Sequence, residues 1–281
     1  MAWPKEIPFE RYPSDLTDEE WEVLEAVLNK VDPYTTGRPR KVNLREILNA
    51  LFYLNKTGCQ WRYLPTDFPS YSLVSYYYQK WLRQKVWEQI NTAIRQKVRK
   101  ESGRTENPSA GIIDSQTVKG TPESTLESGV DGGKKIKGRK RHTIVDTMGC
   151  LLIVVVHAAN IYDGRAARFV VPAWFLLLDT VKKIWADGAY SGSELIAWVK
   201  AQFDCVLEVV EKKKPVKGFQ VVPRRWVVER TFAWLSRYRR LNRDYERNPK
   251  SSESMVYIAS SRLMLRRLCK NRALMAEAVL E

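Results

Sequence analysis

GIIDSQ at residues 111–116 and KKIWADG at residues 182–188 are short apolar runs that each close on an aspartate, and they decide how this chain is read. In the first, Ile112 and Ile113 lead into Asp114. In the second, Ile184, Trp185 and Ala186 lead into Asp187, and Gly188 breaks the run at once. Brief apolar runs bounded by turn residues are strand signals. Aspartate is disfavoured in strands, so a pair of them at strand ends asks for a reason. Ligands of open α/β sheets gather beyond the carboxyl ends of the strands, and carboxylates placed there are a recurrent way to hold a divalent metal. The alternative is an aspartate that simply starts a turn, which is adequate for Asp187 alone and poorer for Asp114.

Working outward, RHTIVD (141–146) and CLLIVVVH (150–157) are two further strands joined by a Thr147-Met148-Gly149 turn, and DCVLEVVE (204–211) is a fifth. Residues 164–178 and 193–202 have helical periodicity, and RRWVVERTFAWLSRYRRL (224–241) reads as a long helix. A tight turn forces antiparallel pairing and helical crossovers force parallel pairing, so an α/β fold with a mixed five-stranded sheet and flanking helices is expected. The first hundred residues are helical instead. Thr17 with Glu20 forms a capping box ahead of Trp21, Leu24 and Leu28; Asn43 with Glu46 opens a second helix stopped by Gly58. Val74, Tyr77, Tyr78, Trp81 and Leu82 mark a third helix, and Val86, Ile90, Ile94 and Val98 a fourth. The polar stretch 103–109 divides an all-helical domain, residues 1–105, from an α/β domain, residues 106–281. Basic residues and Tyr on the exposed side of short helices suit a helix-turn-helix-like DNA reader. A bundle whose aromatics are all core accounts for the same pattern equally well.

The formal charge of +15, from 47 Lys+Arg against 32 Asp+Glu, attracts polyanions and makes nucleic acid the first candidate partner, although ribosomal and membrane-surface proteins share such a balance. Cys59, Cys150, Cys205 and Cys269 are scattered singly, with no spacing that suits zinc. The longest apolar run, Leu151 to Val156, is too short to span a bilayer, and a cytoplasmic protein with no membrane partner is expected. On the helix at 224–241, Val227, Val228, Thr231, Phe232, Trp234, Leu235 and Tyr238 cover one apolar arc. Glu229 lies opposite, with Arg225, Ala233, Ser236 and Arg240. It is a candidate third carboxylate, or half of an exposed Arg225–Glu229 ion pair; Glu208 and Glu211 also follow Asp187 and are its rivals. Lys134, Lys135, Lys137, Arg139, Lys140 and Arg141, loosened by Gly132, Gly133 and Gly138, form either a phosphate clamp or a solvated loop. Lys137, Arg139, Lys140, Arg141 and His142, together with Arg225, Arg237 and Arg240, are the candidate DNA contacts, with packing as the alternative for His142. Asp146 is expected to start the hairpin turn, and Asp163 to cap the following helix.

The strings GIIDSQTVKGT, GRKRHTIVDTMG, HAANIYDG, ADGAYSG and RRWVVERTFAWLSRYRRLNRDYE, in this order, resemble bacterial insertion-sequence transposases of the DDE class, whose catalytic core is RNase H-like. LTDEEWEVLEAVL and GCQWRYLPTDFPS resemble the N-terminal region of the same group, so the likeness covers nearly the whole chain. The resemblance implies that Asp114, Asp187 and Glu229 are catalytic and that they hold two Mg²⁺ or Mn²⁺ ions. It implies hydrolysis at transposon ends, followed by transfer of the freed 3′-OH into target DNA. Carboxylates so gathered repel one another unless cations lie between them, and oxygen-only ligands favour hard ions. The implied partners are double-stranded DNA, as terminal inverted repeats and as target, and a second copy in the active complex. Some relatives carry a Tyr-Arg-Glu-Lys signature around the Glu. Arg225 has its spacing, whereas Val222 stands in place of the Tyr and Ser236 in place of the Lys. Two other readings remain open: a nuclease or resolvase that cuts without joining, and a transposase-derived DNA-binding regulator without catalysis, against which an intact triad argues.

Overall fold

The computed structural model describes residues 11–35, 41–124, 126–210 and 224–280. Most of the TGRPRK connector, Glu211 and Val222 lie outside them. The sheet has six strands: β1 (Ala110–Lys119), β2 (Gly129–Asp131), β3 (Ile136–Asp146), β4 (Leu151–Ala158), β5 (Lys183–Ala186) and β6 (Val206–Val209). Their order is β2-β3-β1-β5-β6, with β4 also paired to β3. The antiparallel β1, β3 and β4 are continued by β5 and β6, which run parallel to β1. This is the mixed α/β topology of an RNase H-like core. Gly149, at φ +83°, supplies the left-handed residue of the tight β3–β4 turn. The side chain of Asp146 clasps that turn, accepting from the amides of Met148 and Cys150 at 2.9 Å each.

β2 is the strand that periodicity misses, because Gly and Asp are poor strand formers and its three residues are held by their ladder to Ile136, Lys137 and Gly138. That ladder also corrects the reading of the basic run. Arg139, Lys140, Arg141 and His142 belong to the middle of the sheet in β3, and all four are buried. The long helix expected at 224–241 is shorter as well: α7 spans Trp226–Leu235 and is followed by a single 3₁₀ turn at Arg239–Leu241.

The helices expected in the first hundred residues are α1 (Asp18–Val31), α2 (Leu44–Thr57), α3 (Tyr71–Arg83) and α4 (Val86–Glu101). The Thr17 capping box is formed, and Asn43 accepts from the amide of Arg45. α5 (Asp163–Phe175) and α6 (Ser193–Phe203) cover one face of the sheet, packing Val170, Trp174 and Val199 on Ile113, Ile144 and Ile184. α7 covers the other face, where Val227 and Val228 meet Ile112, Val145 and Trp185. The last helix, α8 (Pro249–Leu280), is unannounced by any motif. From Ser251 to Arg262 it is buried all round, which its many serines permit by letting neighbours approach closely. Asn55 donates to the Met255 carbonyl at 2.9 Å and Asn91 to the Ser260 hydroxyl at 3.0 Å. Glu253 accepts from the Val156 amide at 3.0 Å. α8 therefore joins the N-terminal helices and the sheet in one hydrophobic core that crosses the boundary at residue 105.

Arg139 holds the segment that follows α7 onto the sheet. Its Nη1 lies 3.2 Å from Asp244 Oδ2 and 2.7 Å from the Glu246 carbonyl, with both side chains fully buried. Removing one member of a buried pair strands the other's charge, so Arg139→Met or Asp244→Asn should each destabilise the protein by about 3–5 kcal/mol. Chemical denaturation measures this; a loss under about 1 kcal/mol would remove the pair from the framework of the fold.

Candidate catalytic carboxylate site

Parallel pairing of β1 with β5 matches Gly111 to Ile184 and Ile112 to Trp185. Continuing that register by two residues brings Asp114 level with Asp187. Side chains alternate along a strand, and Ile112 and Trp185 both face α7. Asp114 and Asp187, each two residues further on, are thereby directed to the same side of the sheet. α7 lies over this side, anchored by Val227, Val228, Thr231 and Leu235, and its opposite arc presents Glu229 to solvent.

Arg225 joins the pieces. Its Nη2 is 3.7 Å from Asp187 Oδ2 and 3.6 Å from Glu229 Oε1. The expected i,i+4 ion pair thus exists, and the same guanidinium also reaches across to the sheet. Asp114 accepts from the Ser115 amide at 2.7 Å. Its pKa is pushed up to about 7, by burial first and then by the negative charges of Asp187 and Glu229, against the opposing pull of the Ser115 amide and Arg225. Among the described residues, no three His, Cys, Asp or Glu side chains close tightly enough on one point to hold a metal ion. The physical reason is at hand: a cation is what lets such carboxylates close up, and a bulky guanidinium lies between two of them. Glu208, the rival on β6, pairs with Lys183 at the edge of the sheet.

Asp187 also accepts from the Ala189 amide at 2.9 Å, capping the 3₁₀ turn Gly188–Tyr190. Tyr190, at the end of that turn, lies 2.6 Å from His142 Nε2, and His142 Nδ1 lies 3.3 Å from His157 Nε2. His157 Nδ1 is 3.0 Å from the Ala158 carbonyl, which can only accept. That last contact orders the whole chain of bonds: His157 donates to Ala158, His142 donates to His157, and the Tyr190 hydroxyl donates to His142. Both histidines of the protein are therefore neutral, and the turn that carries Asp187 is tied to β3 and β4. Beside it, Asp163 Oδ1 accepts from Ser115 Oγ and from Lys140 Nζ, each at 2.9 Å. Asp163 is the first residue of α5 and its side chain is engaged here, so it is not the cap that was expected.

The candidate DNA contacts divide sharply. Arg139 and Arg141 are buried, the latter donating to the Leu241 carbonyl at 2.6 Å. Lys140 is held by Asp163, His142 by Tyr190 and His157, and Arg240 by Glu246 at 2.7 Å. These five are turned inward to satisfy the protein's own acceptors, and they are reassigned from DNA contact to structure. Arg225 is partly exposed beside the carboxylates, and Lys137 and Arg237 are exposed. A strand alternates its faces, but β3 is flanked by strands and covered by helices and loops, so the charge of its run faces inward throughout the middle.

An RNase H-like sheet in which Asp114, midway along β1, lies level with Asp187, just past the end of β5, with Glu229 on the covering helix, is a candidate DDE-type carboxylate site. Residues 105–264 match the family described as Transposase DDE domain, and the chain belongs to that family. Residues 16–91 match the family described as Putative transposase of IS4/5 family. The chain is 30% identical over 118 residues to a putative transposase for insertion sequence element IS402 of Burkholderia cepacia. That match covers 39% of this chain and 54% of the relative, so it spans about half the length of the curated relative. No solved structure matches. The family generally uses divalent metal ions, and among the described residues no helix is long and apolar enough to cross a membrane.

The buried histidine chain has a signature in pH. His142 has its pKa lowered from 6.5 to about 3, by burial and then by neighbouring His157. Below pH 6.5 the unfolded chain takes up a proton that the folded chain refuses, so this group's contribution to stability falls as pH drops from 6.5 toward 3. Relative to a His142→Gln variant, the native protein should lose about 1 kcal/mol more per pH unit between roughly pH 6 and pH 4. Parallel pH profiles from denaturation would count against a neutral His142.

Proposed function

We propose that this chain is a DNA transposase that hydrolyses phosphodiesters at the ends of its element and transfers the freed 3′-OH into target DNA. The observation that carries the reading is the convergence of Asp114 and Asp187, from adjacent parallel strands, with Glu229, which shares Arg225 with Asp187. Three oxygen-only side chains fit hard divalent cations, Mg²⁺ or Mn²⁺, and two ions are proposed. Such a pair, when bound, activates the entering oxygen and stabilises the leaving one in an in-line displacement. The chain's own residues provide the rest. β1 and β5 hold two carboxylates at a fixed separation, α7 presents the third, and the histidine chain keeps the Asp187 turn from moving. Rigid support matters because small displacements at such a site cost large factors in rate. Arg225, beside the carboxylates and partly exposed, is placed to meet a phosphate.

Double-stranded DNA is the proposed partner, both as terminal inverted repeats and as target. The reading of residues 1–105 as a DNA-recognition domain, with residues 106–281 as the catalytic domain, is supported by α3. Val74, Tyr77, Tyr78 and Trp81 face the core, while Tyr71, Tyr76, Gln79 and Arg83 are exposed along the other side. Tyrosine, amide and guanidinium groups on one open helix face can reach base edges and phosphates. A dimer is proposed from the need to bring two element ends together, and a cytoplasmic location from access to the chromosome. A nuclease that cuts without joining would use the same carboxylates, so product mapping separates the two.

Purified protein incubated with Mg²⁺, labelled element ends and a target plasmid should give nicked ends and joined products. Asp114→Asn, Asp187→Asn and Glu229→Gln should each lower both by roughly a thousandfold or more. Glu229→Gln should cost only about 0.3–0.5 kcal/mol of stability, as expected for an exposed ion pair. Glu208→Gln should keep most activity. Normal cleavage by any of the three variants sinks the assignment of that carboxylate.

A further inference from the structure

α7 presents a second, partly exposed arc beside Glu229. Trp226, Arg230 and Trp234 recur at four-residue spacing and so stack along the helix. The Arg230 guanidinium carbon lies 4.5 Å from the centroid of each indole, held between the two rings. Its Nη2 donates to the Met148 carbonyl at 3.0 Å, which ties the ladder to the β3–β4 turn. Behind it, between α7, that turn and α8, is a groove of about 850 Å³. Arg237, Arg266, Arg267 and Lys270 line it in addition to Arg230, and no aspartate or glutamate does. Among the described residues, none of these five cations pairs with a carboxylate.

Five positive charges around one groove are held together against their own repulsion. Burial and then Arg267 lower the pKa of Arg230. Lys56 adjoins the cluster, and its pKa is lowered by burial and then by Arg266 and Arg237. By contrast, the buried Arg139 is matched by Asp244 and the buried Arg262 by Glu20 at 2.5 Å. A groove left this strongly positive is complementary to a polyanion.

We propose that the groove between α7, the β3–β4 turn and α8 binds the phosphate backbone of the same DNA duplex whose phosphodiester lies at Asp114, Asp187 and Glu229. The proposal rests on the transposase reading and extends it to a face that the carboxylates do not touch. From Glu229 to the end of α7 the distance along the helix is on the order of 10 Å, at ~1.5 Å per residue. A strand of duplex presents one phosphate per ~3.4 Å of axis, so that span takes in about three phosphates of one molecule. A separate duplex would have to occupy the same space. Arg230, fixed between its indoles, gives the first phosphate contact a rigid guanidinium. Arg267 and Lys270 then continue the track on α8.

The test uses the full chain, a labelled random-sequence duplex and EDTA, so that no cutting occurs. Neutralising Arg267 and Lys270 together, as R267Q with K270Q, should reduce the slope of log affinity against log salt by about 2. Both side chains reach solvent, so the melting temperature should not change. R267K should keep the native slope. An iron chelate tethered at K270C should cut the labelled duplex within a few nucleotides of the position cleaved by the native protein in Mg²⁺. Several outcomes overturn the proposal: an unchanged slope in a folded double variant, chelate cutting on a separately labelled target duplex, or a change of oligomeric state by light scattering with DNA binding intact, which would make the groove a contact between copies. Failure of the native protein to bind DNA at any salt would instead bring down the transposase reading itself, and this inference with it.

Discussion

Negative charge cannot be concentrated at one end of a sheet without a cation to hold it there, and this constraint organises the molecule. Parallel register leaves Asp114 and Asp187 no choice but to sit side by side. α7 adds Glu229, and Arg225 spans from the helix to the sheet at 3.6–3.7 Å. Burial first, and then the charges of Asp187 and Glu229 that the guanidinium offsets only in part, drive the Asp114 carboxyl up to about 7. In this site burial and like charge both oppose ionisation of Asp114. The framework around it resists that repulsion mechanically. The Asp187 turn is tied by Tyr190 through His142 to His157, and Ser115, next to Asp114, is tied to Asp163.

What the sequence made legible is the part governed by short-range rules. Asp187 at the end of β5, the hairpin at Gly149, the capping box at Thr17 and the apolar arc of α7 each follow from spacing within a few residues, whereas Asp114, read as a strand end, stands midway along β1, which its ladder to β3 carries on to Lys119. What it concealed depends on partners far along the chain. β2 exists because Gly129, Val130 and Asp131 find β3, and α8 is central because Ser251, Ser254 and Ser260 permit close packing that no amphipathic pattern announces. The basic run was legible as charge and illegible as structure. Arg139 is neutralised by Asp244, more than a hundred residues later, and Arg141 donates to the carbonyl of Leu241. No local pattern foretells either partner. His142 was open between contact and packing, and its neighbours His157 and Tyr190 come from β4 and from the turn after β5.

Burial also changes the meaning of the net charge. Arg95, Arg99, Arg139, Arg141, Arg240 and Arg262 are all buried, and several are paired with Asp146, Asp244, Glu246 or Glu20. Pairs of this kind cancel in the far field and contribute nothing to attraction of a polyanion. Among the described residues, exposed cations gather at the β2–β3 tip with Lys134, Lys135 and Lys137, and cations also line the groove beside α7. A uniformly basic surface would bind DNA without orienting it. Separate basic regions around a carboxylate site can hold a duplex in one direction across it.

Orientation of that kind requires the basic regions to keep fixed positions relative to the site, and α8 supplies the connection. It packs on α4 and β4 and is bonded to Asn55 on α2 and Asn91 on α4, while Glu253 caps an amide of β4. Tyr78, on the inner side of α3, donates to the Ser251 carbonyl at 2.9 Å, so the helix with the exposed Tyr76, Gln79 and Arg83 is anchored to the same element. Arg99 of α4 reaches Asp146 at 2.6 Å, at the turn whose far side forms the edge of the groove. One hydrophobic cluster thus runs beneath α3, the groove and β4. Interiors packed at crystal-like density transmit position with little slack, and a phosphate held by α3 or by the groove would therefore have its distance to Asp114 and Asp187 set by the packing of α8.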